Sequence, residues 1–213
     1  MSKPSDRSRL RRIPERASYE PQDVYAVLDA APICHVGFAA DGQPFIIPTI
    51  HARRGNEVLI HGAKASRLLK HAATGAPLVV AVTLLDGIVL ARSVFHSSMN
   101  YRSAVIFGTG RILDDPEEKM AGMEAISEHL VPGRWADARG PSEKEFNATS
   151  VVAIDIEDAT VKRRTGPPGD DEEDFALPVW AGVLERRTVL GPLTADPGRH
   201  RDEPVPEYLR MYE

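Results

Sequence analysis

A mainly β fold with flanking helices, its strands closing into a barrel, is what the local patterns of this chain predict. Three observations carry that expectation. Apolar and β-branched runs follow one another from Ile33 to Ile156, turn formers separate several of them, and helical spacing is confined to short stretches between them.

The elements follow in order. Pro21 to Ala30 carries Val24, Val27 and Leu28 at helical spacing and is stopped by Pro32, which predicts a short amphipathic helix at the entrance to the fold. Ile33 to Ala39, Phe45 to Ala52 and Glu57 to His61 read as strands of a meander, separated by Asp41-Gly42 and Gly55-Asn56. A helix from Ser66 to Ala73 ends at Gly75 and Pro77. Leu78 to Leu85 and Ile88 to Phe95 flank Asp86-Gly87, a pair that signals a type I′ hairpin because both central residues need positive φ. The candidate strand Tyr101 to Leu113 holds Gly108 and Gly110, where a bend or bulge lets a sheet curl. Asp114-Asp115-Pro116 opens a helix with proline in its first position, and Met120, Met123, Ile126 and Leu130 repeat until Pro132-Gly133. Ser142 to Glu145 has capping-box spacing, and Ser150 to Ile156 alternates as a last long strand. Gly166 to Asp174 reads as a solvated acidic loop, Leu177 to Leu184 is expected to pack on the barrel, and the chain from Pro192 onward looks extended. The expected division is a mobile basic tail over 1–18, one domain over 19–193 and an extended tail over 194–213.

A net charge of -5 gives no reason to expect nucleic acid as the main partner, and the basic run Lys3, Arg7, Arg9, Arg11, Arg12 and Arg16 reads as a solvated terminus. No stretch approaches the roughly 20 apolar residues of a membrane span, and the charged start lacks the apolar core of a secretory signal, so a cytoplasmic protein is expected. The single cysteine, Cys34, falls in a predicted strand and is expected to be a buried, inert thiol. The histidines show no i, i+4 pair and no Cys/His spacing, so no metal site is expected.

Two segments concentrate chemistry. Glu57 to Lys70 passes from a buried strand through Gly62 into a helix start, where Lys64, Ser66 and Arg67 set two cations and a hydroxyl beside unpaired backbone N–H groups. That arrangement suits a phosphate; equally, Ser66 caps the helix while the cations are solvated. Phe95 to Ser103 gathers hydroxyls, an amide, Tyr101 and Arg102, with Tyr101 and Ser103 on one face of a strand and Arg102 on the other. It offers stacking and hydrogen bonds to a planar heteroaromatic ligand, or forms a polar strand edge.

The order of these features resembles one family. A strand ending in Ile60-His61, the Gly62 to Arg67 helix start, the strand Tyr101 to Arg111, the entry Thr149-Ser150-Val151 and the segment Trp180 to Val183 are together similar to the FMN-binding split-barrel proteins related to pyridoxamine 5′-phosphate oxidase. Within them the branch containing the nitroimidazole-resistance proteins is most similar. The resemblance implies a six-stranded antiparallel split barrel with flanking helices, acting as a homodimer with FMN in clefts between the subunits. It implies that Lys64, Ser66 and Arg67 hold the phosphate and that Ile47, Pro48, Thr49, His61 and Gly62 line the isoalloxazine. Tyr101, Arg102 and Ser103 would complete the site from the partner subunit, and Trp180 would cover the ring. His61 would stand at the reactive side of the flavin as a proton or hydrogen-bond donor; its alternative is a strand-end histidine bonded to backbone. The implied activity is flavin-dependent reduction of a small planar acceptor such as a nitroaromatic or a quinone. Rival readings are a non-catalytic flavin- or haem-binding carrier or sensor, a deazaflavin protein, and pyridoxamine 5′-phosphate oxidation itself. The last is disfavoured because the C-terminal region lacks the Arg-Leu-His-Asp-Arg type of substrate segment.

Overall fold

Asp41 and Gly42 both take positive φ, 51° and 77°, and fold the chain back between β2 (Ile33–Ala40) and β3 (Gln43–Arg54), which pair from Ile33↔Ile50 to Ala40↔Gln43. A second turn at Gly55, φ 58°, returns β3 into β4 (Glu57–Ala63). The predicted meander is therefore present, and it opens the fold of the computed structural model, which describes residues 4–198 and 203–212.

Ahead of it lie β1 (Ala17–Ser18) and α1 (Pro21–Asp29); after it come α2 (Arg67–Ala72), β5 (Pro77–Leu90) and β6 (Ser98–Ile112). The helices α3 (Pro116–Leu130), α4 (Arg134–Asp137) and α5 (Glu143–Ala148) precede β7 (Thr149–Asp155), β8 (Asp158–Arg164) and β9 (Gly182–Glu185). Among the described residues, six strands close an antiparallel ring in the order β6-β7-β4-β3-β2-β5, with β5 pairing back to β6. On its edge away from β5, β6 serves two further neighbours: Tyr101 to Phe107 pair with β8, and Gly110 to Ile112 with β7. Between those stretches a Cβ on Gly108 would lie 1.8 Å from the Asp155 carbonyl oxygen, so the crossing is open to glycine alone.

The inward faces of the ring supply the core. Val36, Val58, Ile60, Val80, Val82, Ile106, Val152 and Ile154 are buried there, and α1 closes it with Val24, Val27 and Leu28. Each such side chain contributes about 1.5–3 kcal/mol by leaving water. A second layer forms outside the wall, where Ile126 of α3 packs with Leu59, Leu113, Val151 and Ala153. Asp115 caps α3 through the Glu118 N–H, Pro116 occupies its first position, and Ser142 and Glu145 complete the capping box of α5. Cys34 is buried, and burial pushes its thiol up to about 12, which leaves it inert.

One expected hairpin does not form. β5 runs unbroken from Pro77 to Leu90 with an irregularity between Leu85 and Gly87, and the chain reverses only at the 3-10 turn Val94–His96. Ile88 to Phe95 is thus no separate strand. Gly87 serves a close approach instead of a turn: a Cβ there would lie 3.0 Å from Val183 Cγ1 and 3.2 Å from the Leu184 carbonyl of β9. Asp86 is held by Arg102 across the ladder.

Beyond the ring, Arg7 pairs with Glu157 at 3.1 Å and lies 5.2 Å from the centroid of Phe107, and β1 pairs with β8. At the other end the Tyr208 hydroxyl donates to Asp137 at 2.8 Å. In the acidic loop Asp170 is an exception to solvation: it accepts from the Arg92 backbone N–H at 2.7 Å and pairs with the Arg92 guanidinium at 2.9 Å. Among the described residues no helix is long and apolar enough to cross a membrane.

Candidate functional site

β3 and β4 are paired only from Arg54↔Glu57 to His51↔Ile60. Beyond that point Gln43 to Ile50 stay with β2 while His61 to Ala63 stay with β7, so the wall parts. Backbone N–H and C=O groups on the parted edge of β3 have no strand partner among the described residues and are available to a ligand. The gap lies where the sequence places Ile47, Pro48, Thr49, His61 and Gly62. Along β3 the pleat turns Ile47 and Thr49 inward and sets Pro48 beside Ile46, 73% exposed, on the outer face.

The chain then crosses the gap as α2. A Cβ on Gly62 would approach Leu69 Cδ1 to 3.3 Å, so glycine lets the helix lie close against the strand end. Ser66 occupies the N-cap position but makes no side-chain capping bond. Arg67 reaches from α2 to β3, its guanidinium carbon 4.4 Å from the Phe45 centroid, and has no acidic partner among the described residues. Lys64 faces the other way. It lines a pocket of about 410 Å³ behind α2 that also takes in Lys70, Lys119, Asn147 and Ser150. The two cations expected to share one phosphate thus face different sides of α2.

His61 also faces outward, toward α3. It lines a pocket of about 390 Å³ with Ile50, Met123, Ile126, Leu130 and Trp135. Its Nδ1 is buried without a hydrogen-bond partner, and burial lowers its pKa, so the ring is neutral near pH 7. A proton on Nδ1 would leave a buried N–H unpaired; the favoured tautomer carries it on Nε2. Among the described residues no backbone carbonyl claims the ring, unlike that of His51, which the sequence did not single out. His51 is fully buried with Nε2 3.1 Å from the Leu28 carbonyl, and burial aided by neighbouring His129 lowers its pKa to about 4.

The remaining predicted residues occupy another flank, where β6 and β9 pair with β5. Tyr101 and Ser103 lie on one face and Arg102 on the other, as alternation requires. Arg102 is engaged by Asp86 through bonds of 2.8 and 2.9 Å, and Ser103 donates to the Lys162 carbonyl at 3.3 Å. Trp180 is 69% exposed and folds over Gly182. Phe95, 88% exposed, Met99 and Leu184 are bare on the same flank. Within one chain these residues and the α2 gap form two separate groups. On this flank His96, Asp171 and Asp174 bring ligand atoms within 4.8 Å of one another, but His96 is already bonded to Asp171 at 3.0 Å.

A ring of six antiparallel strands, parted between two of them and crossed there by a short helix, is a split barrel. The sequence profile of the pyridoxamine 5′-phosphate oxidase family matches residues 20–163, and the chain belongs to that family. A solved flavocytochrome from Azotobacter vinelandii is 39% identical, with 99% of this chain and 98% of that chain covered and a TM-score of 0.92. An FAD and haem binding protein from Mycobacterium smegmatis is 36% identical over 92% of this chain and 97% of its own, with a TM-score of 0.88. A putative 5-nitroimidazole antibiotic resistance protein from Bacteroides thetaiotaomicron shares the fold at 19% identity, covering 68% and 85% of the two chains with a TM-score of 0.58. No curated protein matches by sequence.

Proposed function

We propose that this chain is a redox protein that carries both a flavin and a haem. The observation that carries the reading is the 39% identity, over almost the whole of both chains, with a protein described as a flavocytochrome. Haem and FMN, alternatives on the sequence alone, are here two cofactors of one protein, and deazaflavin has no part in it. FMN and FAD share the ring and first phosphate that the α2 gap suits. The free edge of β3 would meet the ring with main-chain groups, and Arg67 would meet the phosphate, with Ser66 beside it. Tyr101, Arg102, Ser103 and Trp180 would close the cleft from a second copy of the chain, in a homodimer that buries the bare flank around Phe95.

Haem needs an imidazole nitrogen that is free to bind iron, beside apolar surface. His35 and His71 fit that need among the described residues. His35 stands on the outer face of β2 opposite Pro48 and Ala81, and its ring has no hydrogen-bond partner among the described residues. His71 packs on Phe38 with ring centroids 4.7 Å apart, and its Nε2 has only a long 3.5 Å contact to the Pro77 carbonyl. The cofactors supply the electron-transfer chemistry; the chain positions them and controls access. A small planar acceptor such as a quinone or nitroaromatic is the proposed oxidant. The likeness to the nitroimidazole-resistance protein concerns the fold and adds no weight to that choice.

Absorption of the purified protein tests the reading: flavin bands and a Soret band are expected together. Arg67→Ala should weaken flavin retention about ten-fold or more by removing a charge-assisted contact. Either His35→Ala or His71→Ala should abolish the Soret band while the flavin bands remain. A protein that stays colourless after incubation with FAD, FMN and haemin defeats the proposal.

A further inference from the structure

The pocket behind α2 has a composition that the flavin and haem reading does not use. Lys64 comes from the end of β4, Lys70 from α2 and Lys119 from α3, with Asn147 and Ser150 as neutral neighbours and Asp114 as the one carboxylate. Among the described residues no lysine enters an ion pair; acids are met by arginine or by His96. Three of the five described lysines are nevertheless gathered at this one pocket.

Lys119 is the telling member, because it is 7% exposed. Its ammonium donates to the Phe146 carbonyl at 2.6 Å and lies 4.0 Å from the centroid of the Phe146 ring. Those contacts hold the charge in place and use one of its three N–H groups. Burial disfavours its charge and, to a smaller extent, Lys64 repels it; both lower its pKa, against the pull of Asp114. An ammonium kept at the wall of a cavity, beside a second like charge, gains most from an anion that all three lysines can reach. Asn147 and Ser150 have no side-chain partner among the described residues and add neutral donors. The volume of about 410 Å³ admits more than a bare phosphate.

We propose that this pocket binds a phosphate ester, with Lys70 and Lys119 as its principal contacts and Lys64 as the third. Two sources supply that chemistry: the phosphates of the bound flavin itself, or those of a soluble nucleotide such as a nicotinamide dinucleotide donor. The first source rests on the flavin reading and the second does not.

Calorimetric titration of the protein as purified with pyrophosphate and with ADP, together with its flavin content, tests this. Lys70→Ala, at an exposed position, should weaken binding about ten-fold or more, and Lys119→Met should do the same while filling its apolar site. Lys144→Ala, outside the pocket, should leave affinity unchanged. If both pocket variants lose flavin in parallel, the phosphate is the flavin's own; if flavin content holds while ADP affinity falls, it belongs to a soluble nucleotide. A colourless protein that binds pyrophosphate through Lys70 upholds this site and defeats the flavin reading. Pyrophosphate and ADP that fail to bind, or bind equally well to both variants, with flavin content unchanged, overturn the inference.

Discussion

The two halves of the barrel wall are built on opposite principles. On the closed half, β4 lies between β3 and β7 and is covered on both faces: Val58 and Ile60 meet the core, Leu59 meets α3, and all three are fully buried. Charge there is matched, since Arg54 and Arg111 share Glu57 and Glu118 at 2.8 Å. On the open half, β3 has lost β4, Ile46 is exposed, and Arg67 has an aromatic ring in place of an acid. The closed half is committed to its own packing. The open half keeps backbone groups, apolar surface and charge uncommitted, which is what a ligand requires.

The most severe way to break this contrast is to disturb the corner where β6 passes from β8 to β7. Gly108→Ala sets a Cβ against the Asp155 carbonyl, and the backbone itself must move. A loss of more than about 3 kcal/mol in urea unfolding is expected, because strain of this kind has no flexible side chain to absorb it. Gly169→Ala, with nothing within 4 Å of its Cβ, should change stability by less than about 0.5 kcal/mol. Similar urea midpoints for the two variants would mean that the corner is not fixed as described.

His51 offers the next largest effect, and it belongs to the closed half. Its folded pKa of about 4 lies below the ordinary 6.5, so the unfolded chain binds the proton first as the pH falls. Stability is therefore unaffected above pH 6.5 and declines between 6.5 and about 4, by about 3 kcal/mol in all. Asp29 acts against this shift, and His61, also lowered by burial, adds to the decline. Glu118 and Glu145, held near 2 by their arginine partners, lose their contribution only as the pH falls below the ordinary carboxylate range. His51→Gln keeps a donor for the Leu28 carbonyl and does not titrate, so chemical denaturation should show a flatter slope over that window. An unchanged slope would remove His51 as its cause.

Legibility in the sequence follows the same division. The closed half carries its own signature, since Val58-Leu59-Ile60 reads as a strand buried on both faces, and on the open half only the turn is as plain, where Asp41-Gly42 takes the positive φ that its residues favour. Asp86-Gly87 carries the same local signal for another purpose. Glycine as a turn former and glycine as a place for β9 to come close are indistinguishable until β9 is seen. The ends of α2 were readable from Ser66 and Gly75, but which side of that helix each cation faces depends on Phe45 and Lys119, which lie far away in the chain. Lys119 gave no warning, as one lysine on an amphipathic helix is ordinary until α5 covers it. His51 was equally silent, because its burial is decided by α1 and α3 and not by its neighbours in β3.

A pair of arginines sharpens the comparison at its smallest scale. Arg111 is held by Glu57 and Glu118 at 2.8 Å, and these acids raise its pKa further. Arg111→Gln leaves Arg54 to serve both carboxylates, and a fall of a few degrees in Tm is expected at low salt. Because the network is partly exposed, the effect should fade as salt screens it. Arg67→Gln removes a charge that no acid among the described residues answers, so the Tm should move less than for Arg111→Gln and show little dependence on salt. Thermal melts of both variants at low and high ionic strength decide the matter. An Arg67 effect as large and as salt-sensitive as that of Arg111 would mean that its charge is already spoken for within the fold, and the open half would lose the cation that distinguishes it.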